Sequence, residues 1–257
     1  MAIDTDSTGW DARTRRVLSR IGLNAIGVAS GADYQNVLPG CRSVLVFGNG
    51  GGALWDAFVA DLRAHPAHLA DEAHPLDSFV QRAIAHADPR PPASRRWIRC
   101  SADEPDPVDF RTLALRAGLG WTSALGLLLH PEYGTWLGLR AACFTTEALP
   151  LTPALAGDGP CPSCAAPCAS ACPATAIRDG VWQVGLCARW NTETDDCVTA
   201  CAARVACPAG ETHRYSALER HYHQDRKTGR RALAASLGIA DRGEGIGPHW
   251  DLWAGSP

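Results

Sequence analysis

The sequence contains the run Cys161-Pro-Ser-Cys164-Ala-Ala-Pro-Cys168-Ala-Ser-Ala-Cys172-Pro173, in which the last of four closely spaced cysteines precedes a proline. Four more cysteines follow at longer intervals, and the last of them is again followed by proline: Cys187, Cys197, Cys201 and Cys207. Short spacings let one loop supply three thiolates to a four-iron–four-sulfur cluster while the fourth ligand comes from elsewhere. The run therefore predicts iron–sulfur chemistry.

Eight cysteines are enough for two [4Fe–4S] clusters with no ligand left over. In two-cluster ferredoxins the cysteine before proline binds the other cluster. We therefore predict one cluster on Cys161, Cys164, Cys168 and Cys207, and a second on Cys172, Cys187, Cys197 and Cys201. The gap from Cys164 to Cys168 is one residue longer than the ferredoxin pattern. Zinc is the competing interpretation, although zinc ribbons use two separated cysteine pairs and need no Cys-Pro ends.

The composition is typical of a soluble globular protein. The chain has 257 residues, of which 46% are hydrophobic, and a formal net charge of -3. No stretch approaches the roughly 20 apolar residues that cross a bilayer, and the charge argues against nucleic acid as a partner. Eleven cysteines without an export signal indicate metal thiolates in a reducing compartment. We expect a cytoplasmic protein with neither a membrane nor nucleic acid as partner.

Helix and strand signals alternate before the cysteine run, which predicts an α+β fold. The expected helices begin near Asp11, Leu54, Pro75 and Val108, and the expected strands cover residues 25–29, 43–47 and 97–100. Residues 127–129 and 136–145 are expected to form a strand pair. Residues 150–160 are rich in Pro, Gly and Ala and mark a boundary. We therefore predict a first domain over 1–155, a ferredoxin-like two-cluster segment over 156–210 and a short helical tail over 211–257.

A glycine-rich segment, Gly48-Asn-Gly-Gly-Gly-Ala53, formally fits the dinucleotide fingerprint because it follows a predicted strand. The acidic residue expected on the next strand is missing. We therefore favour a loop that approaches some other ligand over a nicotinamide site.

Three segments outside the first cysteine run carry a resemblance to a known family. They are Arg111-Thr-Leu-Ala-Leu-Arg-Ala-Gly-Leu-Gly-Trp121, Leu128-Leu-His-Pro-Glu-Tyr-Gly-Thr-Trp136 and Leu186-Cys187-Ala-Arg-Trp-Asn-Thr-Glu193. Together with the cysteines, they resemble epoxyqueuosine reductase, a cobalamin-dependent enzyme with two clusters. The resemblance extends over residues 44–208, and Cys187 fits the lone cysteine that follows the first Cys-Pro in that family.

A second resemblance overlaps the first. His130-Pro-Glu-Tyr-Gly-Thr-Trp136 and Arg214-Tyr-Ser-Ala-Leu-Glu-Arg-His-Tyr222 are similar to motifs of the cobalamin-trafficking decyanases. Both families imply a flavin-nitroreductase-like cobalamin-binding domain that holds the corrin without its lower base on cobalt. The resemblance implies contacts to the corrin from Gly118, Gly120, Trp121, His130, Pro131, Gly134 and Trp136. A turn histidine and core tryptophans are the structural alternatives.

The resemblance also implies a general acid, because the reductases use an aspartate near the corrin. Counting back from Gly118 places Glu104 at that position with Asp103 beside it. A solvated acidic loop is the alternative for both residues. The reductases also continue into a helical-repeat domain, whereas this chain ends at Pro257, so we do not expect a tRNA substrate.

The implied function is that of a cytosolic iron–sulfur oxidoreductase that passes electrons from two [4Fe–4S] clusters to a base-off cobalamin. Its electrons would come from an external donor of the flavodoxin or ferredoxin type. Two alternatives stay open: a cobalamin-processing protein that removes the upper ligand with a built-in reductant, and a ferredoxin-like carrier without corrinoid.

Overall fold

The computed structural model of the chain describes residues 9–101, 104–105 and 108–240. Its helices are α1 Trp10–Arg20, α2 Ala53–Ala64, α3 Ala67–Ala70, α4 Pro75–Ala87, α5 Phe110–Arg116, α6 Pro167–Ala171, α7 Val184–Glu193, α8 Ala202–Ala206, α9 Ala217–Gln224 and α10 Arg226–Leu237. Its strands are β1 Ala25–Ser30, β2 Ser43–Gly50, β3 Arg95–Arg99, β4 Trp121–Thr122, β5 Leu128–Leu129, β6 Leu137–Thr145, β7 Ile177–Arg178 and β8 Val181–Trp182. The predicted mixed α+β class is confirmed.

The described residues form two compact units. The first is drawn from Met1–Phe58, Leu76–Gly118 and Gly138–Ala154, and the second from Val59–Pro75, Leu119–Leu137 and Leu155–Pro257. The predicted domain limits at residues 155 and 210 stay a prediction. In the described part of the chain, no helix combines the length and the apolar character that crossing a membrane requires.

A four-stranded sheet in the order β1-β2-β6-β3 organises the first unit. All eight residues of β2 are buried, which agrees with the apolar run that predicted this strand. Strand β1 pairs antiparallel with β2, and β3 pairs antiparallel with β6. A dinucleotide-binding unit needs parallel strands joined by a helix, so this antiparallel pairing disfavours a nicotinamide site at Gly48–Ala53.

The expected pairing of residues 127–129 with 136–145 is wrong. Strand β5 pairs instead with β4, through Trp121 opposite Leu129 and Thr122 opposite Leu128. Strand β6 is an inner strand of the four-stranded sheet. The physical reason lies in the tight turn after β5, where an isolated bridge pairs His130 with Gly134. Because this pairing is confined to the turn, it does not bring β6 alongside β5.

Buried Arg230 joins α10 to the segment after α3 within the second unit. Its guanidinium donates to the carbonyl oxygens of Glu72 and Ala73, at 2.6 and 3.2 Å, and to that of Leu69. The side chain is 2% exposed. Hydrogen bonds from a charged donor are worth more than neutral ones, and carbonyls left unpaired in the interior are costly.

We expect Arg230→Ala to lower the free energy of unfolding by about 3 kcal/mol, because one buried and two partly buried carbonyl oxygens would lose their charged donor. Thermal or chemical unfolding, followed by tryptophan fluorescence, measures the change. The neighbouring exposed Arg231 provides a matched control, and Arg231→Ala should change stability by no more than about 0.5 kcal/mol. Equal effects of the two changes would contradict a structural role for the buried guanidinium.

Candidate iron–sulfur centre

The eight cysteines lie on short helices and the turns that flank them in the second unit. Cys161 begins a single 3-10 turn, Cys168 lies inside α6 and Cys187 lies inside α7. Cys172 follows the last residue of α6, while Cys201 and Cys207 flank the two ends of α8. Pro167 at the first position of α6 supplies the backbone angle that starts a helix.

Helices α6 and α8 share a small apolar core. Leu125, Ile177 and Ala203 are buried there beside the thiols of Cys168 and Cys207. Two further cysteines, Cys172 and Cys201, pack against the same core while partly exposed. Burial and solvent exposure help to set the reduction potential of an iron–sulfur cluster. An apolar environment of this kind is therefore suitable for a low-potential cluster.

One set of four thiols interacts electrostatically around Cys168 and Cys207. Burial raises the pKa of Cys168, and the charges of Cys207, Cys161 and Cys164 raise it further. Burial likewise raises the pKa of Cys207, with further contributions from Cys161 and Cys164. Cys168 and Cys207 thus each interact with both Cys161 and Cys164, which links these four residues into one set.

The other four thiols form a second set around Cys187. Burial raises the pKa of Cys187 to about 11, and the charges of Cys201, Cys172 and Cys197 add to the shift. The pKa values of Cys197 and Cys201 are also raised, mainly by burial and then by neighbours within the same set. The two sets have the same members as the two ligand groups expected from the sequence.

An iron cube and a single zinc ion would require different spacings of four cysteine sulfurs. Among the described residues, the group of three or more ligand atoms that all lie within 4.8 Å of one another consists of Asp61, His65 and His68, and contains no cysteine. Four thiolates around one zinc ion would lie about 3.8 Å apart, given a Zn–S distance of about 2.3 Å. In a cube, each thiolate binds its own corner iron, so the sulfurs stand farther apart.

Amide groups already point at two of the sulfurs in the second set. The backbone N–H of Ala176 donates to Cys172 Sγ at 3.4 Å, and Asn191 Nδ2 donates to Cys187 Sγ at 3.6 Å. Hydrogen bonds to sulfur are one of the means by which proteins set cluster potentials. The sequence analysis did not single out Asn191, although its position four residues after Cys187 on a helix places both side chains on one face.

His130 organises the turn that follows β5. Its Nδ1 accepts hydrogen bonds from the backbone N–H groups of Glu132 and Tyr133, at 3.1 and 3.2 Å, and its ring stacks on Tyr133. Burial lowers the pKa of His130, which favours the neutral ring. Because Nδ1 accepts, the ring proton belongs on Nε2, and His130 has one donor to offer. Pro131 is exposed at the tip of this turn and Gly134 is buried at its end.

The two tryptophans of the predicted corrin site are engaged by protein groups. Trp136 is 0% exposed, lies edge-on to Tyr215 and has the guanidinium of Arg204 over its ring at 4.6 Å. Trp121 is partly buried and donates from Nε1 to the carbonyl oxygen of Ala156 at 3.1 Å. Full burial favours the core interpretation for Trp136.

Two glycines of the predicted corrin site and the predicted acid Glu104 lie at the ends of secondary-structure elements. Gly118 follows α5, and Gly120 precedes β4 where the backbone passes close to Leu129. Glu104 accepts a hydrogen bond from the backbone N–H of Arg99 at 3.1 Å and pairs with the Arg99 guanidinium at 3.5 Å. Asp103 lies outside the described residues. The Glu104 carboxylate is thus held at the end of β3.

Comparison with known proteins finds a curated relative over part of the chain and solved structures with a similar fold. No family model matches it. The epoxyqueuosine reductase of Listeria monocytogenes serovar 1/2a (strain ATCC BAA-679 / EGD-e) is 29% identical over 127 residues, an alignment covering 44% of this chain and 31% of that protein. The chain therefore matches about a third of the length of this curated relative.

Two solved structures share the fold. Epoxyqueuosine reductase from Streptococcus thermophilus superposes with a TM-score of 0.51 at 12% identity, covering 91% of this chain and 77% of that one. A reductive dehalogenase, described with a mechanism for B12-dependent dehalogenation, gives a TM-score of 0.54 at 17% identity, covering 94% and 38%. These comparisons do not support the prediction that nucleic acid is not a partner. By sequence and by fold the chain is similar to epoxyqueuosine reductase, and the resemblance predicted from its motifs is confirmed.

Proposed function

We propose that the chain is an iron–sulfur oxidoreductase that passes electrons from two [4Fe–4S] clusters to a corrinoid held without its lower base. The observation that carries the proposal is the division of eight thiols into two electrostatically linked sets of four. The similarity to epoxyqueuosine reductase and the fold shared with a B12-dependent dehalogenase support the corrinoid. The proposed domains are the nitroreductase-like 1–155, the ferredoxin-like 156–210 and the tail 211–257.

The proposed ligands of the first cluster are Cys161, Cys164, Cys168 and Cys207, and those of the second are Cys172, Cys187, Cys197 and Cys201. Bound clusters would supply single electrons at low potential, which suits reduction of a corrinoid. The protein would hold the thiolates in a partly apolar environment, and its N–H groups would donate hydrogen bonds to the sulfur atoms. Metal binding must also release the thiol protons, since raised pKa values keep buried cysteines protonated without metal.

Toward the corrinoid, His130 is the residue that the geometry supports best. Its Nδ1 is occupied by backbone donors, so its Nε2 proton is the group that could meet a corrin amide. Glu104 is proposed as the proton donor by resemblance, and its pairing with Arg99 means that Arg99 would control its position. The electron donor is proposed to be a flavodoxin or ferredoxin, and the cytoplasm is the proposed location.

A corrinoid titration tests the function. Protein purified without oxygen and loaded with clusters should bind one cob(II)alamin per chain, and the electron paramagnetic resonance signal should lose the nitrogen splitting that the lower base causes. A signal that keeps this splitting at every protein concentration would reject the corrinoid and leave the carrier interpretation. Reduced protein is then mixed with methylcobalamin, and stoichiometric loss of the methyl ligand would indicate cobalamin processing in place of the proposed reductase.

A further inference from the structure

Two histidines and an aspartate converge where α2 gives way to α3, in the second unit. Asp61 lies in the last turn of α2, His65 follows that helix and His68 lies in α3. The Nδ1 atom of His65 is 3.4 Å from Asp61 Oδ1, and the Nδ1 atom of His68 is 2.7 Å from Asp61 Oδ2. One ligand atom from each residue lies within 4.8 Å of the other two.

Backbone hydrogen bonds stabilise the segment that joins α2 to α3. The N–H of His65 donates to the carbonyl oxygen of Asp61 at 2.8 Å, and the N–H of His68 donates to that of His65 at 3.0 Å. Pro66 stands just before α3, where its fixed backbone angle suits a helix start. The two imidazole rings stack with their centres 5.0 Å apart. The three side chains are therefore brought together by local hydrogen bonds and a proline.

The donor set selects the kind of cation. Calcium and magnesium prefer shells made mostly of oxygen atoms, and a single carboxylate offers too few. Imidazole nitrogen suits zinc and its neighbours among the divalent transition metals, and two histidines with one acid are a common three-ligand set. Around a tetrahedral zinc ion, such donors lie about 3.3 Å apart. The contact of His65 with Asp61 Oδ1 already has this length, whereas His68 contacts the other oxygen, Oδ2, so a side chain must shift to bring both nitrogens around the oxygen that binds the metal.

We propose that Asp61, His65 and His68 form a binding site for a zinc-class divalent cation with a fourth position open to solvent. The side chain of His65 is 60% exposed, so water can reach the fourth position. None of these residues belongs to either cysteine set, and the site does not depend on the proposed reductase function. The structural alternative is a metal-free corner in which Asp61 accepts a hydrogen bond from His68.

Calorimetric titration with zinc tests this site. The protein is loaded with clusters first, so that the eight proposed cluster cysteines are already occupied. One zinc ion should bind per chain, and His65→Gln should weaken binding at least tenfold, since even loss of an outer partner costs about 10–100-fold. His65→Gln is chosen because an exposed side chain can be changed without loss of folding. His86→Gln, at an exposed histidine of α4, is the control and should bind zinc as the unchanged protein does.

X-ray absorption at the zinc edge then identifies the ligands. Nitrogen and oxygen neighbours at about 2.0–2.2 Å support the site, whereas a sulfur neighbour at about 2.3 Å would assign the zinc to cysteine and overturn it. The proposal also fails if zinc does not bind, or if His65→Gln and His86→Gln bind it equally well.

Discussion

Replacing Cys164 and Cys172 together with alanine is expected to remove essentially all iron, although the two residues lie in the same short run. The reason is that Cys164 interacts with the set around Cys168 and Cys207, while Cys172 interacts with the set around Cys187. Replacing Cys172 and Cys197 together should instead leave about four irons per chain, because both residues belong to one set. Iron and sulfide analysis after anaerobic purification measures the outcome.

A cysteine outside both sets supplies the control. Cys100→Ala should keep about eight irons, since Cys100 follows β3 in the first unit and takes no part in either set. Retention of half of the iron by the Cys164 and Cys172 double variant would assign both residues to one cluster and contradict the crosswise arrangement. Zinc without iron in the unchanged protein would contradict the cluster proposal itself.

The change Gly134→Ala is expected to destabilise the second unit by about 3 kcal/mol or more. Gly134 has a φ of 56°, and a Cβ atom there would lie 1.9 Å from the carbonyl oxygen of Ala209. The obstacle is backbone, so the chain must shift to admit the methyl group. Because Ala209 is two residues after Cys207, we also expect weaker retention of the first cluster.

The control variant Gly180→Ala distinguishes the steric clash at Gly134 from the energetic cost of a positive φ angle. Gly180 has a φ of 73°, and a Cβ atom there would meet nothing within 4 Å. Its replacement should cost about 1 kcal/mol, the ordinary penalty for an L-residue in the left-handed region. Melting temperatures and iron contents of both variants, measured under the same anaerobic conditions, make the comparison. A Gly134→Ala protein as stable as Gly180→Ala would show that the turn can move freely.

Local patterns were predicted well from the sequence. The apolar stripe after Pro75 and the buried run from Ser43 are properties of neighbouring residues, and both elements form where they were expected. The division of the cysteines between two clusters stays a prediction, which rests on the Cys-Pro ends of the two cysteine groups. These features depend on short-range geometry, which the sequence states directly.

Features that depend on distant partners could not be predicted in the same way. The pairing of β4 with β5 depends on the loop over residues 123–127, where the backbone N–H of Ser123 donates to the carbonyl oxygen of Leu127, and spacing alone does not distinguish this short hairpin from a longer one. The sequence left both a core and a corrin-contact interpretation open for Trp136, and its contacts with Tyr215 and Arg204 depend on residues about 70 or more positions away. The spacing of Asp61, His65 and His68 can be read from the sequence, but the convergence of their ligand atoms appears only when α2 and α3 are placed in space.

Helix α8 separates one proposed ligand of each cluster. Cys201 and Cys207, one from each set, lie at its two ends, six residues apart, which corresponds to about 9 Å along a helical axis. The helix is held by Arg204, whose guanidinium donates to the carbonyl oxygen of Thr135. On the proposed cluster assignment, a short and well-held stretch of backbone would therefore join a ligand of one cluster directly to a ligand of the other.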